Sequence, residues 1–332
     1  MEYTKIHGLD QESSRVGLGT WAIGGWMWGG TDEAQSIRTI HAALDKGINL
    51  VDTAPVYGFG TSEQIVGKAV AEYGQRDRLI LATKVALEWD DAQKKVWRNS
   101  SPERIRKEIE DSLRRLQTDY IDIYQIHWPD PVVPFDKTAE VMGKLVDEGK
   151  IRAIGVSNYT VEQMEAFRAA APLAVCQPPY NVFERAIEND ILPYCTQSGI
   201  ATLTYGALCR GLLSGKITAD QQFDGDDLRK VDPKFKSPRF AQYLEAVKQL
   251  QNLAEKKYSK KVLHLAVRYV LDKGANVALW GGRRPEQMEP LADIFGWQLA
   301  EEDFAEIEQI LAQAISDPVG PEFMAPPARQ SE

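Results

Sequence analysis

Residues 120–156 read Tyr120-Ile121-Asp122-Ile123-Tyr124-Gln125-Ile126-His127, then an amphipathic stretch from Thr138 to Glu148, then Ile151-Arg152-Ala153-Ile154-Gly155-Val156. The flanking runs are short, mainly apolar and rich in β-branched residues, as strands buried on both faces are. The stretch between them has helical periodicity. Strand, helix and second strand of this kind make a βαβ unit, and hence a parallel sheet.

Working outward, six further runs have the same character. They are Val16-Gly17-Leu18-Gly19-Thr20, Asn49-Leu50-Val51-Asp52, Leu79 to Lys84, Leu173 to Gln177, Ala201 to Tyr205 and Asn276 to Trp280. Helical patterns lie between them at Asp32–Lys46, Thr160–Ala170, Ile187–Ser198, Val262–Lys273 and Pro285–Ile294. Another starts at Ser101-Pro102-Glu103, a capping residue followed by first-turn proline, and continues through Ile105, Ile109, Leu113 and Leu116. Eight βα units in about 280 residues predict an α/β fold, a closed (β/α)8 TIM barrel rather than an open sheet. The barrel is expected as a single domain over residues 1–332. Residues 1–14 are expected as a hairpin plugging its bottom, 211–238 as a long functional loop, 239–257 as an inserted helix and Glu301–Ala314 as a last helix. From Ser316 a proline-rich tail reads as irregular.

Composition narrows the functional classes. Lys and Arg number 39 against 48 Asp and Glu, a net charge of -9, which argues against generic binding to nucleic acid or anionic membrane. No apolar run approaches a bilayer span, and the N-terminus shows no secretory signal. Three cysteines, Cys176, Cys195 and Cys209, form neither a Cys-x-x-Cys pair nor a zinc set, so no metal is expected and a cytoplasmic location fits. The expected partner is a small-molecule carbonyl substrate, and the expected assembly a monomer or weak oligomer. No G-x-G-x-x-G follows a strand, which leaves a Rossmann dinucleotide site unsupported.

Active sites of such barrels lie at the C-terminal ends of the strands. There the second strand ends in Asp52, the third in Lys84 and the fourth in His127, and Tyr57 follows Asp52 in the next loop. Taken singly, each has a bland reading: a helix cap, a solvated lysine, a core histidine, a packing tyrosine. On successive strands of one barrel they make a proton-transfer site. A free phenol has a pKa of about 10, which a neighbouring ammonium lowers. Lys84 is expected to act so on Tyr57, with Asp52 holding Lys84 and His127 directing a carbonyl oxygen.

With these residues in place, the sequence resembles the aldo-keto reductases over nearly its whole length. It looks closest to the bacterial branch that contains general stress protein 69. The match is carried by Gly17-Leu18-Gly19-Thr20-Trp21, Asp52-Thr53-Ala54-Pro55-Val56-Tyr57-Gly58, Ala82-Thr83-Lys84 and Asp119-Tyr120-Ile121-Asp122 with His127-Trp128-Pro129. It continues in Ile154-Gly155-Val156-Ser157-Asn158, Gln177-Pro178-Pro179-Tyr180-Asn181 and Tyr205-Gly206. The resemblance implies a catalytic tetrad of Asp52, Tyr57, Lys84 and His127, with Tyr57 the general acid, and an extended NADPH across the barrel top. Ser157, Asn158 and Gln177 would hold its carboxamide and Tyr205 stack on its nicotinamide, with Thr20 and Trp21 lining that end beside Asp52. Gly206-Ala207-Leu208-Cys209-Arg210, with Lys216 and Arg229, would clasp the pyrophosphate. Gly281-Gly282-Arg283-Arg284 would take the adenosine 2′-phosphate, with Gln287 nearby. Adjacent guanidinium groups on an acidic protein suit such a phosphate and favour NADPH over NADH.

Trp21, Trp26, Met27, Trp28 and Phe59, with Trp89 and Trp128, are expected to rim an apolar pocket, while Trp280 and Trp297 are expected to be structural. The leading expectation is reduction of aldehydes, with some ketones and dicarbonyls, and a stress-response role by extension from the branch. One alternative is an NADPH-binding, redox-sensing regulatory subunit with little turnover. Another is an alcohol dehydrogenase running mainly in the oxidative direction.

Overall fold

A computed structural model describes residues 1–90, 92 and 94–329, so the last three residues of the expected domain lie outside the described ones. Eight parallel strands close a barrel in the order β3 (Val16–Gly19), β4 (Leu50–Asp52), β5 (Ile80–Val85), β8 (Ile121–Ile126), β9 (Ile151–Ser157), β10 (Val175–Gln177), β11 (Ala201–Thr204) and β12 (Val277–Gly281). β12 returns to pair with β3. All eight expected strands are present, shifted at their ends by no more than two residues.

The first two strands, β1 (Tyr3–Thr4) and β2 (Ser13–Ser14), form the N-terminal hairpin. Ile6, in its loop, is buried among Leu50, Ile80, Ile123, Val175 and Val277, the side chains that fill the lower barrel. It acts as the plug, and its burial contributes about 2 kcal/mol.

The helices cover the outside. α1 (Glu33–Asp45) is capped by Asp32, whose side chain accepts from Gln35 N. α3 (Pro102–Leu116) is capped by Ser101, with proline in its first turn. α4 (Phe135–Asp147) covers the β8–β9 crossover, and α5 (Val161–Arg168) opens with a Thr160–Gln163 capping box. α6 (Ile191–Ser198) begins later than the periodicity predicts, because a separate 3-10 turn occupies Ala186–Glu188. α7 (Arg239–Tyr258) is the inserted helix, followed by α8 (Val262–Asp272) and α9 (Glu301–Ala314).

Two elements escape the sequence reading. α2 (Thr61–Tyr73) packs Ile65, Val66, Ala69 and Val70 on the barrel, yet starts at Gly60 without a side-chain cap and carries Gly67 inside, both weak helix signals. A hairpin of β6 (Leu87–Trp89) and β7 (Val96–Arg98) rises from the end of β5. The stretch expected as a helix from Pro285 is instead a 3-10 segment, Pro285–Asp293, containing Pro290. Proline lacks the N–H that an α-helix interior requires.

The described part of the tail, residues 316–329, is irregular as expected apart from a 3-10 turn at Glu322–Met324, and it is anchored. Lys234 Nζ donates to Gly320 O (3.1 Å), and Arg98 Nε donates to Pro326 O (2.8 Å). Among the described residues, no helix is long and apolar enough to cross a membrane, and no cluster of His, Cys, Asp or Glu is arranged to hold a metal ion.

Candidate active site

The four strand-end residues converge. Lys84 is fully buried, and its Nζ donates to Asp52 Oδ2 (2.6 Å), Thr53 O (2.9 Å) and Tyr57 Oη (3.3 Å). These three bonds use all three ammonium donors. His127 lies beside Tyr57, the rings edge to face with centroids 5.7 Å apart. Trp21 stacks on the Tyr57 ring at 5.9 Å.

Local structure explains why the phenol stays in place. Thr20 Oγ1 donates to Asp52 O, and Ser62 Oγ bonds both Thr20 Oγ1 (2.8 Å) and Thr53 Oγ1 (2.9 Å), tying the loop after β4 to β3 and α2. Gly58 has φ +68, and a Cβ on it would lie 2.0 Å from Gly24 O. Two glycines therefore let these loops touch backbone to backbone directly behind Tyr57.

Charge states follow from burial. Burial pushes the Tyr57 phenol well above its ordinary pKa, and the Asp52 carboxylate adds to the rise. The expected net lowering is thus not what this structure gives: burial and Asp52 raise the phenol, which holds its proton at rest. Burial also lowers the Lys84 ammonium, against which Asp52 and Glu63 act to raise it. His127 is pushed well below the usual imidazole value, first by burial and then by Lys84, so it is neutral near pH 7.

The expected carboxamide residues form one connected set. Ser157 Oγ donates to Gln177 O (2.7 Å), and Asn158 Nδ2 donates to His127 O (3.0 Å) and Ser157 Oγ (3.0 Å). Tyr205 Oη donates to Asn158 Oδ1 (2.8 Å). Gln177 Nε2 donates to Asp52 Oδ1 (2.8 Å), linking this set to the tetrad. Thr20 is buried, while Trp21 is partly exposed at the mouth. The sequence reading missed Gln125, which bonds both Asp52 and Gln177 from inside the barrel. Its signal was a lone amide in an apolar strand.

The expected phosphate residues fare unevenly. Arg283 is partly buried; its Nη1 donates to Trp28 O (2.6 Å) and its Nη2 to Gly30 O. Arg284 is exposed beside it, after the exposed Gly281 and buried Gly282. Burial, then Arg284 and Arg229, lower the Arg283 pKa, as expected where cations crowd without enough counter-charge. Arg229 grips Asp227 through two bonds and lies over the Phe223 ring at 4.2 Å. Gln287 has its amide oxygen committed to Arg283 N (2.7 Å) and Arg284 N (3.0 Å), so it shapes this turn. Lys216 is exposed.

Arg210 requires a correction. Its guanidinium is buried and bonds Glu184 and Asp232, while Lys234 reaches Glu184 at 2.7 Å. That side chain neutralises buried carboxylates and is not turned to a phosphate. In the rest of that segment Gly206 has φ +78, Ala207 is buried and Leu208 is partly buried. Cys209 is buried and its thiol is pushed up to about 12, chiefly by burial, which makes it a packing residue.

Around Tyr57 the aromatic rim is as expected in part. Trp21, Trp26, Phe59, Trp89 and Trp128 are half-buried against Ala54, Val56, Tyr57 and Leu87. Trp28 sits edge-on to Trp21 at 5.7 Å, and Met27 bonds the loop at Asp226 through its backbone N–H (2.7 Å). Trp280 is buried, and Trp297 packs on Tyr258 at 4.7 Å.

A closed parallel barrel with a Tyr–Lys–Asp–His cluster at its mouth defines an oxidoreductase class. The chain belongs to the aldo/keto reductase family, whose model matches residues 15–312. It is 62% identical over 331 residues to Aldo-keto reductase YhdN of Bacillus subtilis, covering 99% of both chains. It is 36% identical over 316 residues to the NADH-specific methylglyoxal reductase of Escherichia coli, covering 91% of this chain and 95% of that one. Among solved structures, the glycerol dehydrogenase of Gluconobacter oxydans superposes with a TM-score of 0.88 at 54% identity, over 97% of this chain and 99% of that one. Proteins of this family use nicotinamide cofactors and act on small carbonyl compounds and the corresponding alcohols.

Proposed function

We propose that residues 1–332 work as one barrel that reduces aldehydes, with some ketones and dicarbonyls, to alcohols using NADPH. The observation that carries this reading is the Tyr57 hydroxyl 3.3 Å from the buried Lys84 ammonium, with the His127 ring edge-on to it at 5.7 Å. A dihydronicotinamide held by Ser157, Asn158, Gln177 and Tyr205 would supply the hydride for the carbonyl carbon. Tyr57 supplies the proton: its O–H bond breaks as the carbonyl oxygen gains negative charge. Lys84 stabilises the phenolate that remains, and Asp52 keeps Lys84 charged in a site whose burial disfavours charge. His127, neutral, donates a hydrogen bond that directs the carbonyl oxygen toward Tyr57. Trp21 and its aromatic neighbours exclude water and accept apolar or aryl bodies.

The residues present fit the cofactor. Ser157, Asn158 and Gln177 offer amide and hydroxyl groups for a carboxamide, and Tyr205 offers a ring. Arg283 and Arg284, with Arg229 close by, offer crowded positive charge for a 2′-phosphate. In the structure the Arg283 guanidinium donates to the peptide carbonyls of Trp28 and Gly30, which a phosphate readily outcompetes. This favours NADPH. The three cysteines are buried free thiols, in keeping with a reducing cytoplasm. The similarity to a glycerol dehydrogenase supports a second direction, oxidation of alcohols with NADP+, through the same proton path reversed.

The test is loss of NADPH absorbance with a panel of aryl, aliphatic and dicarbonyl substrates, beside NADH, and its gain with NADP+ and alcohols. Turnover with a clear preference for NADPH is expected. Equal or better use of NADH would overturn the arginine assignment. Tight NADPH binding without turnover in either direction would overturn the enzyme reading in favour of a sensor.

A further inference from the structure

Gln125 has no role in the reaction as described, yet its place is built with care. It sits on β8, fully buried, opposite Lys84 on β5 and Gly155 on β9. Its Nε2 donates to Asp52 Oδ1 (3.2 Å), and its Oε1 accepts from Gln177 Nε2 (3.1 Å). Gly155 makes the room: a Cβ there would lie 2.7 Å from Gln125 Cγ and 3.3 Å from Val175 Cβ. Burying an amide in a barrel interior is costly unless both ends are bonded, and here both are.

The carboxylate of Asp52 is thereby divided. Oδ1 takes the amides of Gln177 and Gln125, and Oδ2 takes Lys84. We propose that Gln125 is a positioning residue: by holding Oδ1 of Asp52 it aims Oδ2 at Lys84 and so keeps the ammonium charged and directed at Tyr57. The inference rests on the carbonyl-reduction reading for its consequence in catalysis. Under that reading Gln177 serves two partners, Asp52 and the carboxamide of the cofactor. Gln125, buried inside the barrel, donates to Asp52 and accepts from Gln177. When Gln177 turns to the carboxamide, Gln125 remains as the amide donor to Asp52.

The charged and titratable groups facing Lys84 are Asp52 from β4, Tyr57 from the following loop, His127 beyond β8 and Glu63 from α2. Burial lowers the ammonium pKa, and Asp52 is the first group that opposes it. Loosening Asp52 therefore lowers it further, whereas a second carboxylate beside Asp52 raises it.

Two variants of similar size test this in the full chain, Gln125→Leu and Gln125→Glu. The first readout is the Lys84 side-chain titration by carbon-13 NMR of labelled lysine, assigned by its absence in Lys84→Met. The titration is expected to move to lower pH in Gln125→Leu and to higher pH in Gln125→Glu. The second readout is kcat with NADPH and the best aldehyde. In Gln125→Leu it should fall about tenfold with KM little changed, its alkaline limb moving the same way as the titration. A general packing defect would move both variants alike. Equal titrations in both variants and wild type, or shifts of the same sign, overturn the proposal. Should Gln125→Leu fail to fold, Gln125→Asn, one methylene too short to reach Asp52, takes its place with the same expected shift to lower pH, and an unchanged Lys84 titration in it overturns the proposal. Opposite shifts with no wild-type turnover would leave Gln125 as the positioner of Lys84 and overturn the reductase reading. Wild-type turnover without shifts would do the reverse.

Discussion

The tetrad and the arginine cluster are built differently. At the tetrad, Lys84 has every donor bonded, Asp52 accepts from three side chains, and all but Thr53 and Tyr57, in the loop after β4, sit on barrel strands. At the arginine end, Arg229, Arg283 and Arg284 stand on loops, partly or fully exposed, and lean on neighbouring backbone or a nearby aspartate. On the proposed reading the first end must hold a proton donor to within a fraction of an ångström. On that reading the second needs only to gather charge around a flexible anion. Rigid geometry belongs to the chemistry, and adaptable charge to affinity.

The contrast can be broken most severely at the tetrad. Replacing Lys84 with Met should lower kcat by about a thousandfold, with NADPH affinity by fluorescence nearly unchanged. A loss confined to KM would place Lys84 in binding instead. Next in size is the buried ion network. Arg210→Ala should cost about 3–5 kcal/mol of stability in denaturant unfolding, since it leaves Glu184 and Asp232 short of positive charge. NADPH affinity of the folded variant should stay near wild type; weaker binding at full stability would return Arg210 to the phosphate site. Arg283→Ala should raise the KM for NADPH roughly tenfold while leaving that for NADH unchanged. An equal rise for both would show that the guanidinium supports only the Trp28–Gly30 loop. The smallest effect is a null one. The depressed imidazole pKa of His127 confines its charging to acid pH, so kcat should show no imidazole step between about pH 6 and pH 8. A step near pH 6.5 would contradict the buried, neutral histidine.

The same divide separates what was legible from what was not. All eight barrel strands and the four tetrad positions stand in the sequence, because buried strands carry short, mainly apolar runs and their polar ends are conspicuous. α2 was obscured by Gly60 and Gly67, and the β6–β7 hairpin by its mixed polarity. Arg210 was misread because its partners, Glu184 and Asp232, lie 26 and 22 residues away in the chain and meet it only in space. The direction of the Tyr57 shift was misjudged for a related reason. Proximity of Lys84 can be read from strand order, but the depth of burial that raises the phenol cannot.

The central claim is that Tyr57 gives the proton. Its most direct test is Tyr57→Phe, with NADPH binding followed by fluorescence and aldehyde reduction by single-turnover absorbance. The account predicts binding near wild type and reduction slowed by at least about a hundredfold. Reduction at the wild-type rate would contradict it and require another donor.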